Sequence, residues 1–292
     1  MGSAGSREEG NVTWAEMTAH VAAELGDRNE ARWVCETAGG FDAAELRAAA
    51  GEWVPERAGK QIESMLRRRL AGEPLQYVLG RWGFRRLDLM VDARVLIPRP
   101  ETELVVDIVT AAARGAGPGA TVVDLGTGSG AIGLAVLDEL PPGHATVWMT
   151  DASADALDVA RANAAGAGRA AMGARFAHGS WYGALDGSLR GAVDVIVSNP
   201  PYIAEGDPDL EESVRAWEPS SALLAGSDGL DDLRVIVAGA PEWLRPGGLI
   251  VVEMGHTQTD ELMDLYQLAG MDDVRVHRDL AGRDRFVSGR RA

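Results

Sequence analysis

Val122-Val123-Asp124-Leu125-Gly126-Thr127-Gly128-Ser129-Gly130 begins as a short apolar run and ends in three glycines spaced two apart. The run reads as a strand, the glycines let the backbone approach a ligand closely, and a helix N-terminus is expected just beyond Gly130. Outward from it, helical and strand signals alternate. A helix is expected from Glu101 to Arg114, a strand at Thr121 to Leu125, a helix after Gly130, a strand at Thr146 to Thr150 and a helix at Ala154 to Ala165. A strand near Arg175 to Ala177 follows, then one beginning at Asp194, a helix at Gly229 to Leu244, a strand at Leu249 to Glu253 and a helix at Gln258 to Ala269. Such alternation predicts an α/β fold with a doubly wound, mostly parallel sheet, which binds ligands at the carboxyl ends of its strands.

A second stretch, Val195-Ile196-Val197-Ser198-Asn199-Pro200-Pro201-Tyr202, stops abruptly. Its β-branched start suits a strand covered on both faces, and two prolines cannot continue a ladder, so the strand ends at Asn199. Proline also restricts its predecessor, which leaves Asn199 and Pro200 stiff. That frame can present the Asn199 side-chain carbonyl and the Pro200 main-chain carbonyl side by side, two acceptors suited to an NH2 group. Tyr202 adds an aromatic wall for a planar amide or base. A plain turn after a strand is the competing reading.

Asp151 ends the next strand and can accept hydrogen bonds from both hydroxyls of a ribose, so a nucleoside-bearing cofactor is expected. Gly128-Ser129-Gly130-Ala131-Ile132-Gly133 also matches the dinucleotide fingerprint, which keeps a nicotinamide cofactor open at this point. Asp124 argues the other way, because a carboxylate beside the loop is unfavourable near a pyrophosphate and favourable near a sulfonium or ammonium group. Gly179-Ser180-Trp181 follows the third strand, where Trp181 can cover an adenine ring or pack a loop. His20, His144, His178, His256 and His277 are scattered. None reads as a required base, and no metal site is expected.

The 292 residues carry a net charge of -16, with 46% hydrophobic and 25% charged residues. That acidity argues against broad nucleic-acid binding, which needs a basic face, and suits a protein partner better. The single cysteine, Cys35, excludes an internal disulfide and is compatible with a reducing cytoplasm. The polar opening from Met1 to Gly10 is expected to be disordered and lacks the apolar core of a signal peptide. No stretch is long and apolar enough to span a bilayer. Thr13 with Glu16, Asp27 with Glu30 and Asp42 with Glu45 mark three helix starts, and a fourth helix is expected from about Pro55 to Leu70. Residues 11–72 thus form a helical domain, 73–98 a linking β-hairpin with short β-like pieces at Tyr77 to Leu79, Leu87 to Val91 and Val95 to Ile97, and 99–292 the catalytic domain. Arg67, Arg68 and Arg69 read as a solvated helix face. The prolines around Arg99 make a stiff lid or wall over the site.

Taken together, Leu96-Ile97-Pro98-Arg99-Pro100-Glu101-Thr102-Glu103, the glycine loop, Asn199-Pro200-Pro201-Tyr202, Glu218-Pro219, Leu244-Arg245-Pro246-Gly247-Gly248 and Asp279 to Arg285 resemble the HemK/PrmC-type protein-(glutamine-N5) methyltransferases. The resemblance is strong from Leu75 onward and weak over the helical region. It implies a Rossmann-like, class I S-adenosylmethionine-dependent methyltransferase fold. It also implies methyl transfer from S-adenosyl-L-methionine to the glutamine of the Gly-Gly-Gln loop in peptide-chain release factors, with the helical domain helping to bind that partner. By the same resemblance Gly126, Thr127, Gly128, Ser129 and Gly130 would line the methionine part of the cofactor, Asp151 its ribose and Trp181 its adenine, with Asp124 and Ser180 also beside the cofactor. Asn199, Pro200, Pro201 and Tyr202 would hold the glutamine, with Asn199 and Pro200 catalytic and Asn199 also beside the cofactor. Ser180 stands where the family often has an acid. Asn-Pro-Pro-Tyr is shared with adenine-N6 methyltransferases, and a sister branch modifies a ribosomal protein, so both remain alternatives.

Overall fold

The computed structural model describes residues 12–292, so the expected disorder of residues 1–10 falls outside the described residues. The chain divides into two compact units at Gly80/Arg81.

The first unit is helical, with α1 (Trp14–Leu25), α2 (Arg28–Gly39), α3 (Ala43–Ala48), α4 (Glu56–Leu70) and α5 (Leu75–Leu79). Thr13, Asp27 and Asp42 cap the first three helices, and Thr13 and Asp42 form reciprocal boxes with Glu16 and Glu45. Glu30 instead pairs with Arg69 at 2.7 Å, and Arg68 binds Glu73 and the Tyr77 carbonyl, so two of the three clustered arginines tie α4 to its neighbours. Arg67 and Arg68 are exposed, as expected of the run, while Arg69 is half-buried.

Tyr77 to Leu79 lie in α5 and are not β-like. Pro74 stands at the helix start and Gly80, with φ of 73°, ends it, while Leu75, Tyr77 and Val78 are buried. A short apolar run has no period that separates a buried helical turn from a strand.

The second unit opens with a hairpin of β1 (Arg81–Phe84) and β2 (Leu87–Met90), after which Val95 to Ile97 form no strand. Then come α6 (Glu103–Ala116), β3 (Ala120–Leu125), α7 (Ala131–Glu139), β4 (Ala145–Asp151), α8 (Ala154–Ala167), β5 (Ala174–His178), β6 (Val193–Ser198) and α9 (Glu212–Trp217). The chain closes with α10 (Asp231–Trp243), β7 (Leu244–Glu253), α11 (Thr259–Leu268), β8 (Met271–Arg278) and β9 (Asp284–Arg291).

The sheet order is β5-β4-β3-β6-β7-β9-β8, parallel from β5 to β7 and antiparallel for β9 and β8. This is the doubly wound, mostly parallel sheet expected from the alternation of signals. Successive residues of β3 serve opposite layers: Val122 packs with Val106 and Leu134, and Val123 with Ile236 and Leu262. From β3 the chain winds to β4 and β5 on one side, then returns to β6 and β7 on the other. The strand order therefore reverses between β3 and β6, where such sheets open a ligand crevice. Leu125 pairs with Ser198 across that junction, and the Ser198 hydroxyl donates to the Leu125 carbonyl at 2.7 Å. The glycine loop and Asn199 consequently emerge side by side. Among the described residues no helix is long and apolar enough to cross a membrane.

Candidate active site

A cavity of about 590 Å³ lies at this crevice, within the roughly 300–1,000 Å³ usual for small-molecule sites. Gly126, Thr127, Gly128, Ser129, Asp151, Ser180, Trp181, Asn199 and Pro201 line it. A second cavity of about 270 Å³ is lined by Arg99, Asn199, Pro200 and Tyr202, with Asp207, Asp209 and Glu211 also on its wall. Asn199 belongs to both walls. The structure thus brings the glycine loop, Asp151, Trp181 and the Asn-Pro-Pro-Tyr segment together, while Asp124 and Gly130 lie buried behind the loop.

The loop geometry follows from its glycines. Gly126 has φ of 70°, and a Cβ there would stand 3.1 Å from the Trp181 ring. Gly130 has φ of 83°, with Leu134 and Ala160 at 3.1 and 3.3 Å from an added Cβ. Both positions need a residue without a side chain.

Asp124 is 1% exposed. Its Oδ2 accepts from the Thr127 hydroxyl at 2.6 Å and the Gly133 amide at 3.0 Å, whereas Oδ1 has no partner among the described residues. Burial pushes its carboxyl up to about 6, against those two hydrogen bonds. A buried carboxylate with an open oxygen favours a cationic ligand group and disfavours a pyrophosphate. The donor set accordingly fits S-adenosylmethionine, which carries a sulfonium and an ammonium, better than a nicotinamide dinucleotide.

Asp151 accepts from the Gly128 amide at 2.9 Å and the Ser153 amide at 2.8 Å. Burial raises its carboxyl despite these bonds. Trp181 starts a short 3₁₀ turn with φ of 43°, and its indole N–H donates to Asp232 at 3.2 Å. Asp232 also lines the larger cavity, and burial raises its carboxyl. Its only sequence signal is an acid in the first turn of α10, which marks helix starts generally.

The stretch from Ile97 to Glu103 forms part of the wall. Glu218, 6% exposed, accepts from the Ile97 amide at 3.0 Å and from Arg99 at 2.6 Å, which accounts for the Glu218-Pro219 motif. Below the wall, Glu253 at the end of β7 is 1% exposed and pushed up to about 7, chiefly by burial, against the Thr102 hydroxyl and the Arg285 charge. Glu253 was reachable in principle as a third acid at a strand end, alongside Asp124 and Asp151. Of the five histidines, none lines either cavity.

The Glu253 carboxyl gives a stability prediction. Folding raises it from 4.5 to about 7, so between these values the folded chain holds a proton that the unfolded chain releases. Its contribution to stability therefore falls as pH rises through that window. Replacing it by the neutral isostere, Glu253→Gln, is expected to improve stability at pH 8 relative to pH 5 by on the order of 3 kcal/mol compared with the unsubstituted protein. Denaturant unfolding at the two pH values checks this; an equal difference at both would show that Glu253 titrates normally.

Residues 101–218 match the Methyltransferase small domain family, and residues 13–80 the PrmC N-terminal domain family. The chain is 43% identical over 256 residues to the release factor glutamine methyltransferase of Xylella fastidiosa strain 9a5c, covering 88% of each. It is 37% identical over 284 residues to that of Geobacter sulfurreducens, covering 94% of each. Among solved structures, a methyltransferase from Pyrococcus furiosus shares the fold with a TM-score of 0.52 at 16% identity, over 80% of this chain and 99% of that one.

Proposed function

Because the chain belongs to the release factor glutamine methyltransferase family, we propose that it transfers a methyl group from S-adenosylmethionine to the side-chain amide nitrogen of the Gly-Gly-Gln glutamine in a peptide-chain release factor. The observation that carries this reading is Asn199, held on a stiff Asn-Pro-Pro frame where the two cavities meet. The larger cavity takes the cofactor and the smaller one takes the glutamine side chain.

The cofactor supplies an electrophilic methyl group on a positively charged sulfur. The backbone at Gly126, Thr127, Gly128, Ser129 and Gly130 lines its methionine part, with Asp124 behind the loop as a counter-charge. Asp151 holds the ribose hydroxyls, and Ser180 and Trp181 border the adenine. The remaining task of the protein is orientation, because an amide nitrogen has its lone pair delocalised into the carbonyl. Asn199 Oδ1 and the Pro200 carbonyl accept the two N–H bonds of the glutamine and aim its lone pair. As that nitrogen gains positive charge, the same oxygens bind it more strongly than in the ground state. Positioning of this kind contributes roughly 7 kcal/mol or more. Pro201 and Tyr202 wall the amide. The proton lost from nitrogen passes to solvent.

The helical unit of residues 13–80 binds the protein partner, and the buried free Cys35 suits the reducing cytoplasm where translation terminates. The test is incubation with methyl-labelled S-adenosylmethionine and a release factor, the same factor with its loop glutamine changed to alanine, ribosomal proteins, or a DNA/RNA pool. Label is expected only in the intact release factor. Label in nucleic acid or in a ribosomal protein would replace this substrate by the corresponding alternative.

A further inference from the structure

Two sequence motifs, Ile97 to Glu103 and Asp279 to Arg285, have no direct part in the roles above, yet both converge on one buried carboxylate. Glu253 Oε2 accepts from the Thr102 hydroxyl at 2.7 Å, and Oε1 accepts from the Tyr202 hydroxyl at 3.4 Å. Thr102, 3% exposed, in turn accepts from Asn199 Nδ2 at 3.3 Å. Arg285, held to Asp279 at 3.3 Å, places its positive charge where it stabilises the Glu253 carboxylate.

The order of donors in this chain matters. A threonine hydroxyl has one proton and two lone pairs, whereas a carboxylate only accepts. When Glu253 is ionised, the form the Arg285 charge favours, the Thr102 proton is committed to it, and the hydroxyl can offer Asn199 only a lone pair. Of the two ends of a side-chain amide, only the NH2 can bond to a lone pair. Asn199 is thus locked with its nitrogen toward Thr102 and its carbonyl oxygen at the opposite end. The two ends of an amide are nearly equal in size, so sterics alone would not select this orientation. In the flipped state Asn199 would set donors against the donors of the incoming glutamine amide.

We propose that Thr102, with its proton held by Glu253, is a positioning residue that fixes the Asn199 side-chain amide with its oxygen as the acceptor for the substrate NH2. The proposal rests on the glutamine-methylating reading above and extends it to the source of that orientation. It also gives a reason for the threonine of the Ile97 to Glu103 motif and for the buried acid at the end of β7.

The test uses full-length protein with S-adenosylmethionine and a release factor. Thr102→Val removes the hydroxyl at nearly constant volume, and Thr102→Ser keeps it. For Thr102→Val, kcat is expected to fall about 10- to 100-fold, the scale of a small misplacement of a reacting group. The KM for the release factor and the Kd for S-adenosylmethionine should stay close to those of the unsubstituted protein, the melting temperature should fall because buried Glu253 loses a donor, and Thr102→Ser should recover most of kcat. A Thr102→Val enzyme with unchanged kcat overturns the proposal. So does a loss that Thr102→Ser shares, since that marks a packing role. If Thr102→Val does not fold, Thr102→Ala removes the same hydroxyl with less apolar bulk and is judged by the same readouts. Failure of the unsubstituted enzyme to methylate any release factor would instead remove the functional reading itself.

Discussion

Asn199→Ala is expected to lower kcat for release-factor methylation by about 10²–10³-fold, the cost of deleting one preorganised polar group from a charge-developing site. The substitution removes the oxygen proposed to accept an N–H of the glutamine, while Pro200, fixed by its ring and buried, keeps its carbonyl. It also leaves Thr102 without its donor, but the Thr102 bond to Glu253 survives, so the wall of the site stays in place. Asp124, Asp151 and Trp181 are untouched, and cofactor binding should mostly persist. Calorimetric titration with S-adenosylmethionine alongside steady-state kinetics separates the two effects. An Asn199→Ala enzyme with near-normal turnover would mean that the Asn-Pro-Pro-Tyr segment does not hold the reacting amide.

Asp151→Ala should act on the other cavity, weakening S-adenosylmethionine on the order of 10²-fold or more. Hydrogen bonds to a charged partner contribute about 1.5–3 kcal/mol each, and a ribose offers this carboxylate two hydroxyls. The loss is compounded because Asp151 also accepts from the Gly128 and Ser153 amides, so the glycine loop and the start of α8 lose an anchor. Demethylated product, S-adenosylhomocysteine, has the same ribose and should weaken by the same factor. Unchanged affinity for both ligands would refute the ribose assignment. Equal weakening with turnover preserved at saturating cofactor would agree with it, because Asp151 does not line the smaller cavity assigned to the glutamine.

The strands and helices that carry the site were readable wherever backbone chemistry is local. Gly126 and Gly130 announce positive φ, Pro200 and Pro201 end β6, and the β-branched runs of β3 and β6 announce burial on both faces. The hairpin of β8 and β9 was not readable in the same way. Its strands carry Asp272, Asp273, Arg275 and Arg290, and a register shift between Asp272 and Arg275, with Asp273 at φ of 51°, breaks the two-residue alternation. The α5 segment was misread for a different reason, since five residues are too few to show a helical period.

By itself the sequence determined where the chain must turn, which runs are buried, and that an amide on a proline frame follows a glycine-rich, acid-flanked loop. These are properties of single residues and of short-range periodicity, so they survive in one dimension. Only the tertiary structure decided which polar groups meet. Thr102 finds Asn199 across 97 positions and Glu253 across 151, and Trp181 finds Asp232 across 51. Such pairs leave no pattern along the chain, because a hydrogen bond between lone residues on different elements depends on how the sheet stacks those elements and on nothing in the residues between them.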